Sequence, residues 1–512
     1  MTACFYGDDF SRGPRAFREA LERLRVFSSF IVAQRITGIN DVWQTTWDGA
    51  IEFSYNNTNG AINWATPGPI SSADIVIDDE QLFQQMDGFG AAMTDSAALV
   101  LTNLKNANST SYWSLLQYMF NSTDGADGAG LSYIRLPMGS TDLSATAYTY
   151  NDACCDTSLS QFSIDVTPSY VFSVLNDIKS VNNILKLHMI PWSPPAWMKD
   201  SGTLFSGSLS SAHINTLAHY LFKCVQAWGA KGFTAYAIGI QNEPQNVNPT
   251  YPTAIVTADQ EAQVAMALRA LLDKNGFSGV KIIGGETNWD SSEYAGTVLS
   301  EANSAISGSA WHCYAGDSSS QSAVTDTYPT KEIYFTECAG IIGSDRWTDI
   351  KWQTSNLWIG AVNNWARAAL MWSLVANSDG SPVLPSTDTC RGGCRGVVSV
   401  SGASWSVNQE FLGMAQANKA ILPKDPGGPW GQRIGVSVGG SLDWALVVSA
   451  FKTARLNSAD WNRYSMVVLN WDDSSSTSWN PQSVSTTIEF RGYQAMYSFP
   501  VGVTTLWWFA PN

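Results

Sequence analysis

The chain has 512 residues, 45% of them hydrophobic and only 14% charged, with 29 Lys+Arg against 44 Asp+Glu for a formal charge of −15. That length supplies two hydrophobic cores, or one large barrel with an accessory domain, and the composition excludes a largely disordered polypeptide. The acidic balance argues against nucleic acid as a partner, and no apolar run reaches the roughly 18 residues of a membrane span.

Residues 1–36 stand apart from the fold. Five arginines (Arg12, Arg15, Arg18, Arg23, Arg25) precede the short apolar run VFSSFIVA. The segment reads either as a degenerate secretion signal cleaved after Ala33 or as a misassigned first exon. Residues 37–78 read as strands with turns (DVWQTTWDGAIEF, then SYNNTNGAINW), expected to join a β-domain formed later in the chain. Between 79 and 400, short apolar runs alternate with segments of helical period. The runs are FQQMDGFGAAMTD, LSYIRLPMG, ILKLHMIPWSP, TAYAIGIQNEP, VKIIGGETN, SAWHCYAG, EIYFTECAG and RAALMWSLVAN.

Eight strand–helix alternations predict a (β/α)8 TIM barrel. The rival, a doubly wound open sheet, would carry a G-x-G-x-x-G phosphate turn after its first strand, and GFGAAMTD lacks that spacing. From 401 to 512 the helical pattern ends, and runs such as DWALVVSAF, YSMVVLNW and TTLWWFAP predict an antiparallel, β-sandwich-like side domain. With the early strands it would be built from both ends of the chain.

Sequons at Asn56, Asn108 and Asn121 lie in polar stretches and favour secretion. Among eight cysteines, Cys390 and Cys394 flank a tight turn and suit a small-loop disulfide, whereas the adjacent Cys154 and Cys155 each pair elsewhere or stay free. Most of the 22 tryptophans are read as packing, with a surplus suited to stacking on sugar faces.

In a barrel, polar groups at the C-terminal ends of the strands face the active site. They are Asp95, Arg135, Asp142, Trp192, Asn242, Glu243, Glu286, His312, Tyr314, Glu337 and Trp372. Glu243 ends the fourth run and Glu337 the seventh, on opposite sides of the barrel. A charged Glu closing an apolar run is costly inside the barrel but soluble at its mouth. Acetal hydrolysis requires such a pair, one carboxyl protonated to assist the leaving oxygen and one ionised to meet the anomeric carbon. Asn242 can hold a sugar hydroxyl, and Pro244 fixes the following turn.

His188, His312, Cys313 and Cys338 near strand ends raise a metal site, but His312 and Cys313 are neighbours and point opposite ways. No Cys-x-x-Cys or His-x-x-x-His pattern is present, so neither metal nor cofactor is expected. Cys313 and Cys338 read as small buried apolar residues behind the site, and His213 and His219 as ordinary helix residues. The stretch GSLSS is a loop, not a nucleophile elbow. Packing explains most of Trp347, Trp352 and Trp358, though Trp347 has the option of stacking on a glycan from a loop after the seventh run.

The ordered motifs MDGFGAAMTDSAAL, YIRLPMGSTDLS, PWSPPAWMK, IGIQNEPQ, WHCYAG, YFTECAG and MWSLV resemble glycoside hydrolase family 30 from about Gly38 to the C-terminus. The resemblance implies a retaining, cofactor-independent enzyme on a (β/α)8 barrel with a β-sandwich-like side domain. It implies Glu243 as general acid/base and Glu337 as nucleophile. It further implies Asp95, Trp192, Asn242, His312, Tyr314 and Trp372 as glycone-binding positions, with Arg135 supporting the nucleophile. The segment NSDGSPVLPSTDTCRGGCRGVVSV, with HCYAG and TECAG, is most similar to the fungal endo-β-1,6-glucanase branch. A secreted, monomeric enzyme on β-glucan is expected. The alternatives are a glucosylceramidase-like β-glucosidase and, in a different class, a catalytically silent glycan-binding protein.

Overall fold

The computed structural model describes residues 36–39, 41–55, 62–65, 73–385, 387–389, 393–439, 441–473 and 479–512. The export segment before Ile36, the Asn56 sequon and Cys390 lie outside these residues. Eight parallel strands close into a barrel in chain order: β1 (Gly88–Ala92), β2 (Tyr133–Pro137), β3 (Lys186–Ile190), β4 (Ala237–Gly239), β5 (Lys281–Asn288), β6 (Gly308–His312), β7 (Glu332–Glu337) and β8 (Ala366–Met371). Closure rules out the doubly wound sheet. The strands are near-continuous apolar runs because helices cover the outer face while side chains fill the interior. Helix Ala258–Lys274 is representative of the outer layer. Thr257 and Gln260 form a reciprocal capping box at its start, and it stops before Gly276, whose φ of +82° no side-chain-bearing residue adopts cheaply.

The two barrel ends differ chemically. At the N-terminal end Asp87 accepts from Lys186 (2.6 Å), Arg367 (3.0 Å) and Tyr236 (2.8 Å), and Glu332 pairs with Lys281 and Arg367. Above this ionic plug, Tyr133, Ala237, Ile283, Ala310, Tyr334, Ala368 and Leu370 pack the interior. The C-terminal end is left open.

The side domain is a nine-stranded sheet drawn from both ends of the chain. Its order is Ser54–Tyr55, Asp41–Thr46, Gly502–Ala510, Asn462–Asn470, Leu446–Thr453, Gln432–Val438, Ile75–Gln85, Val484–Phe490 and Tyr493–Phe499. All neighbours are antiparallel except Ile75–Gln85 with Val484–Phe490. Gly502 is obligatory where first and last strands meet: its φ is +139°, and a Cβ there would lie 2.1 Å from the Thr45 carbonyl oxygen.

Three expectations are corrected. The helical pattern does not end at 401, because Gln409–Ile421 forms a helix wedged between barrel and side sheet. Its burial on nearly every side removes the polar face that marks a surface helix. Its polar groups are absorbed instead. Asn418 accepts from the Phe89 amide (2.9 Å) and donates to the carbonyls of Ala129 (2.9 Å) and Gly130 (2.8 Å), while Gln416 donates to those of Trp43 and Val503. Second, Cys313 and Cys338, read as small apolar residues near each other behind the site, are joined in a disulfide. Third, Trp347 is buried on helix Arg346–Gln353 with its indole N–H on Asp473 (3.0 Å), so it stacks on no ligand. Cys394 is disulfide-bonded, and Cys154 and Cys155 are free. Asn108 and Asn121 sit at the two ends of helix Ser109–Phe120.

Replacing Asn418 by Leu leaves the Phe89 amide and the Ala129 carbonyl buried without partners, each worth about 1–3 kcal/mol. We expect Asn418→Leu to lower the thermal midpoint markedly while turnover at 25 °C persists. An unchanged midpoint in differential scanning calorimetry would show that this helix does not tie barrel to sheet.

Candidate active site

The open barrel end holds a cavity of about 680 Å³. Of the residues singled out from sequence, Asp142, Trp192, Asn242, Glu243, Tyr314, Glu337 and Trp372 line it. Arg135, His312 and Glu286 lie fully buried beneath its floor. Asp95 does not line the cavity: it begins helix Asp95–Ala107, and its carboxylate accepts from Ser144 (2.8 Å) and Tyr148 (3.1 Å).

The floor is organised by one buried cation. Arg135, on β2, has no solvent exposure. It pairs with Glu337, donates to Glu286 (2.9 Å) and to the Asn242 side-chain oxygen (2.6 Å), and lies 4.7 Å over the Trp192 ring. Because Arg135 occupies the Asn242 oxygen, the amide nitrogen is left to donate toward the cavity. Glu337 also accepts from the Tyr314 hydroxyl (2.9 Å). Trp192 and Trp372 stack at 4.8 Å and 22°, forming an aromatic wall. Asp142 accepts from Thr389 (2.7 Å) beside the Trp372 indole. Burial, with the nearby Glu337 charge, pushes the Asp142 carboxyl up to about 7.

Glu243 follows β4 and converges on Glu337 from across the barrel. One oxygen of each carboxylate and one ring nitrogen of His312 all lie within 4.8 Å of one another. That closeness favours the retaining arrangement, in which the carboxyl groups lie about 5–5.5 Å apart, over the wider inverting one. Glu243 has φ +42°, a strained conformation for a side-chain-bearing residue, held by its amide on the Glu286 carbonyl (3.0 Å) and by Asn246 on its carboxylate (2.8 Å).

His312 bridges two acids, Nε2 at 3.2 Å from Glu286 and Nδ1 at 3.1 Å from Glu243. Burial alone would lower its pKa, but Glu337, Glu243 and Glu286 outweigh it and push the ring up to about 9. Burial lifts Glu243, yet contact with His312 prevails and holds it below the usual carboxyl range. These opposite shifts make His312 and Glu243 a coupled pair, joined through Nδ1 and Oε1. Glu337 is raised by burial and by Glu243, with His312 and Arg135 limiting the rise. Glu286 is held low because Arg135, His312 and His188 outweigh its burial, so it stays an anion. Glu243, His312 and Glu337 could offer three ligand atoms to a cation. With His312 protonated and Arg135 already on Glu337, the donor set suits a proton rather than a metal ion.

Sequence reading included Glu286 among strand ends but assigned it no role. It also passed over Gln245, Asn246, Asn248 and Tyr251 of the loop after β4, and Thr287 and Asn288 at the end of β5, all of which line the cavity. Gln245 and Asn246 directly follow the QNEP motif, so their position was the available signal. Asp388 and Thr389 lie far along the chain and enter because Asp388 is bonded by Asn248 (2.8 Å) and Thr250 (2.6 Å).

Residues 86–388 match the glycosyl hydrolase family 30 TIM-barrel domain. An endo-1,6-β-D-glucanase of Neurospora crassa is 33% identical over 69% of this chain and 74% of its own length. An Aspergillus fumigatus endo-1,6-β-D-glucanase is 31% identical over 70% and 75%. A putative glucosylceramidase of Caenorhabditis elegans is 28% identical over 62% and 64%. A solved endo-β1,6-glucanase shares the fold with TM-score 0.78 at 23% identity, covering 93% of this chain and 100% of that one. With the closed barrel, the side sheet and the facing carboxylates already in place, this chain belongs to glycoside hydrolase family 30.

Proposed function

We propose that the protein is a secreted endo-acting β-1,6-glucanase working by retention. The observation that carries the mechanism is the approach of Glu243 and Glu337 to within 4.8 Å, with His312 between them. Glu337, ionised against Arg135 and Tyr314, attacks the anomeric carbon as the glycosidic bond breaks. Glu243 passes its shared proton to the leaving oxygen, then takes a proton from the water that releases the glycosyl-enzyme. Trp192 and Trp372 face the sugar ring, Asn242 donates to a hydroxyl, and Asp142 and Tyr314 bound the same subsite. Arg135 and His312 act through the carboxylates they touch.

The similarity to endo-1,6-β-D-glucanases supports the linkage. The rim supports a polymer: Asn246, Asn248, Asp290, Ser291, Asp388 and Thr389 offer amides, hydroxyls and carboxylates beside the apolar surfaces of Tyr251, Tyr314 and Ile341. The Cys313–Cys338 disulfide fits an oxidising compartment. No described helix is long and apolar enough to cross a membrane. We also propose that the enzyme acts as a monomer.

Three outcomes test this reading. Glu337→Gln should lower kcat on linear β-1,6-glucan by at least about 10³-fold with an unchanged circular dichroism spectrum at 25 °C, although the lost Arg135 pair lowers the thermal midpoint; near-normal rates would remove Glu337 as nucleophile. Early products followed by NMR should carry the β-anomer, and initial appearance of the α-anomer would refute retention. The kcat/KM profile should fall on the acid side as Glu337 binds a proton, above the usual glutamate range, and on the alkaline side near pH 9 as the His312–Glu243 pair loses its proton. His312→Gln should move the alkaline limb to lower pH and, by removing a charge that holds Glu337 down, the acid limb to higher pH, narrowing the profile from both sides. If the alkaline limb stays in place, His312 does not share the catalytic proton.

A further inference from the structure

One end of the side sheet carries a row of tryptophans that the barrel's chemistry does not use. Thr46, Gly502, Asn470 and Leu446 are paired residue to residue across four adjacent strands. Trp47 follows the first, Trp471 the third, and Trp444 lies just before the fourth. With strands about 4.8 Å apart, the register sets Trp47 and Trp471 two strand steps apart and Trp444 one step beyond. Trp479 packs edge-on against Trp47 at 4.9 Å, and the Trp471 indole donates to the Trp444 carbonyl. Trp444 is 58% and Trp479 49% exposed, unusual for so large a ring, while Asn480 and Gln482 add exposed amides beside them.

This row continues toward the cleft. Asp473 of the same loop holds Lys351 (2.7 Å) and the Trp347 indole, and Glu52, beyond the Trp47 turn, holds Arg346 (2.5 Å). Both partners lie on helix Arg346–Gln353, which the chain reaches directly from the cleft-lining Ile341 and which also exposes Trp352 at 42%. Flat rings flanked by amides suit the apolar faces and equatorial hydroxyls of pyranose rings.

We propose that Trp444, Trp471 and Trp479 with Trp47 form a polysaccharide-binding ledge that holds a β-glucan chain on the side domain while another part of that chain occupies the cleft. The choice of glucan rests on the activity proposed above. The ledge raises the local concentration of substrate by adding a second contact to the same polymer. It lies outside the barrel cavity, so it leaves the chemical step untouched.

The double variant Trp444→Ala/Trp479→Ala tests it. In the Glu337→Gln background, co-sedimentation with insoluble β-1,6-glucan should weaken by about tenfold relative to Glu337→Gln alone. With Glu337 intact, KM on the polymer should rise similarly, while kcat and KM on a short β-1,6-linked oligosaccharide stay the same. Equal polymer binding and equal polymer KM would overturn the ledge. Sedimentation velocity distinguishes another occupant: a wild-type dimer that becomes monomeric in the double variant would make the row a contact between copies and refute the proposal. If the wild type cleaves neither substrate, the assigned activity fails, and the co-sedimentation comparison still decides the ledge.

Discussion

The active centre depends on the burial of the Arg135 guanidinium. A cation withdrawn from water is strongly destabilising unless its charge and donors are met, and breaking such a pair costs about 3–5 kcal/mol. Here Glu286 and Glu337 meet the charge, Asn242 takes a further hydrogen bond, and Trp192 covers one face. Those partners come from β5, β7, and the loops after β4 and β3. Satisfying one charge therefore sets the relative positions of four segments. The same side chain pairs with the Glu337 carboxylate and engages the Asn242 side-chain oxygen.

A second set of contacts places the acid. Glu243 has a left-handed backbone conformation that a free loop would abandon, and it is retained because its amide, its carboxylate and His312 are all engaged. His312 in turn is anchored by Glu286, so the Arg135 and Glu243 networks meet at one carboxylate. Immediately behind, Cys313 and Cys338 join the residues that follow His312 and Glu337. The ends of β6 and β7 are thus tied covalently next to the facing carboxylates, where a small displacement would alter the spacing of Glu243 and Glu337.

The barrel was legible because its signal is local and repeated: apolar runs with polar ends alternate with amphipathic helices. The location of Glu243 and Glu337 at the cavity was legible for a related reason, since a Glu that closes an apolar run has one comfortable location, the mouth. Helix Gln409–Ile421 was not legible. Its polar residues serve carbonyls and amides of distant strands, so it carries no exposed face to set its period. Trp347 and Asp95 show the same limit at single positions. Trp347 lies on the helix after β7 and Asp95 just after β1, and the partner of each, Asp473 for one and Ser144 with Tyr148 for the other, lies in a separate loop.

The amino-acid sequence by itself determined the eightfold alternation, the separate β-domain, and the identity of the acids that end the fourth and seventh strands. Each of these follows from periodicity and from the cost of burying charge within a short stretch of chain. Only the tertiary structure decided which strand-end groups see the cavity, that Arg135, His312 and Glu286 lie beneath it, that Cys313 bonds Cys338, and that tryptophans from three separate loops align on one sheet edge. Those outcomes depend on barrel closure and strand register, which bring together residues hundreds of positions apart and which no local pattern encodes.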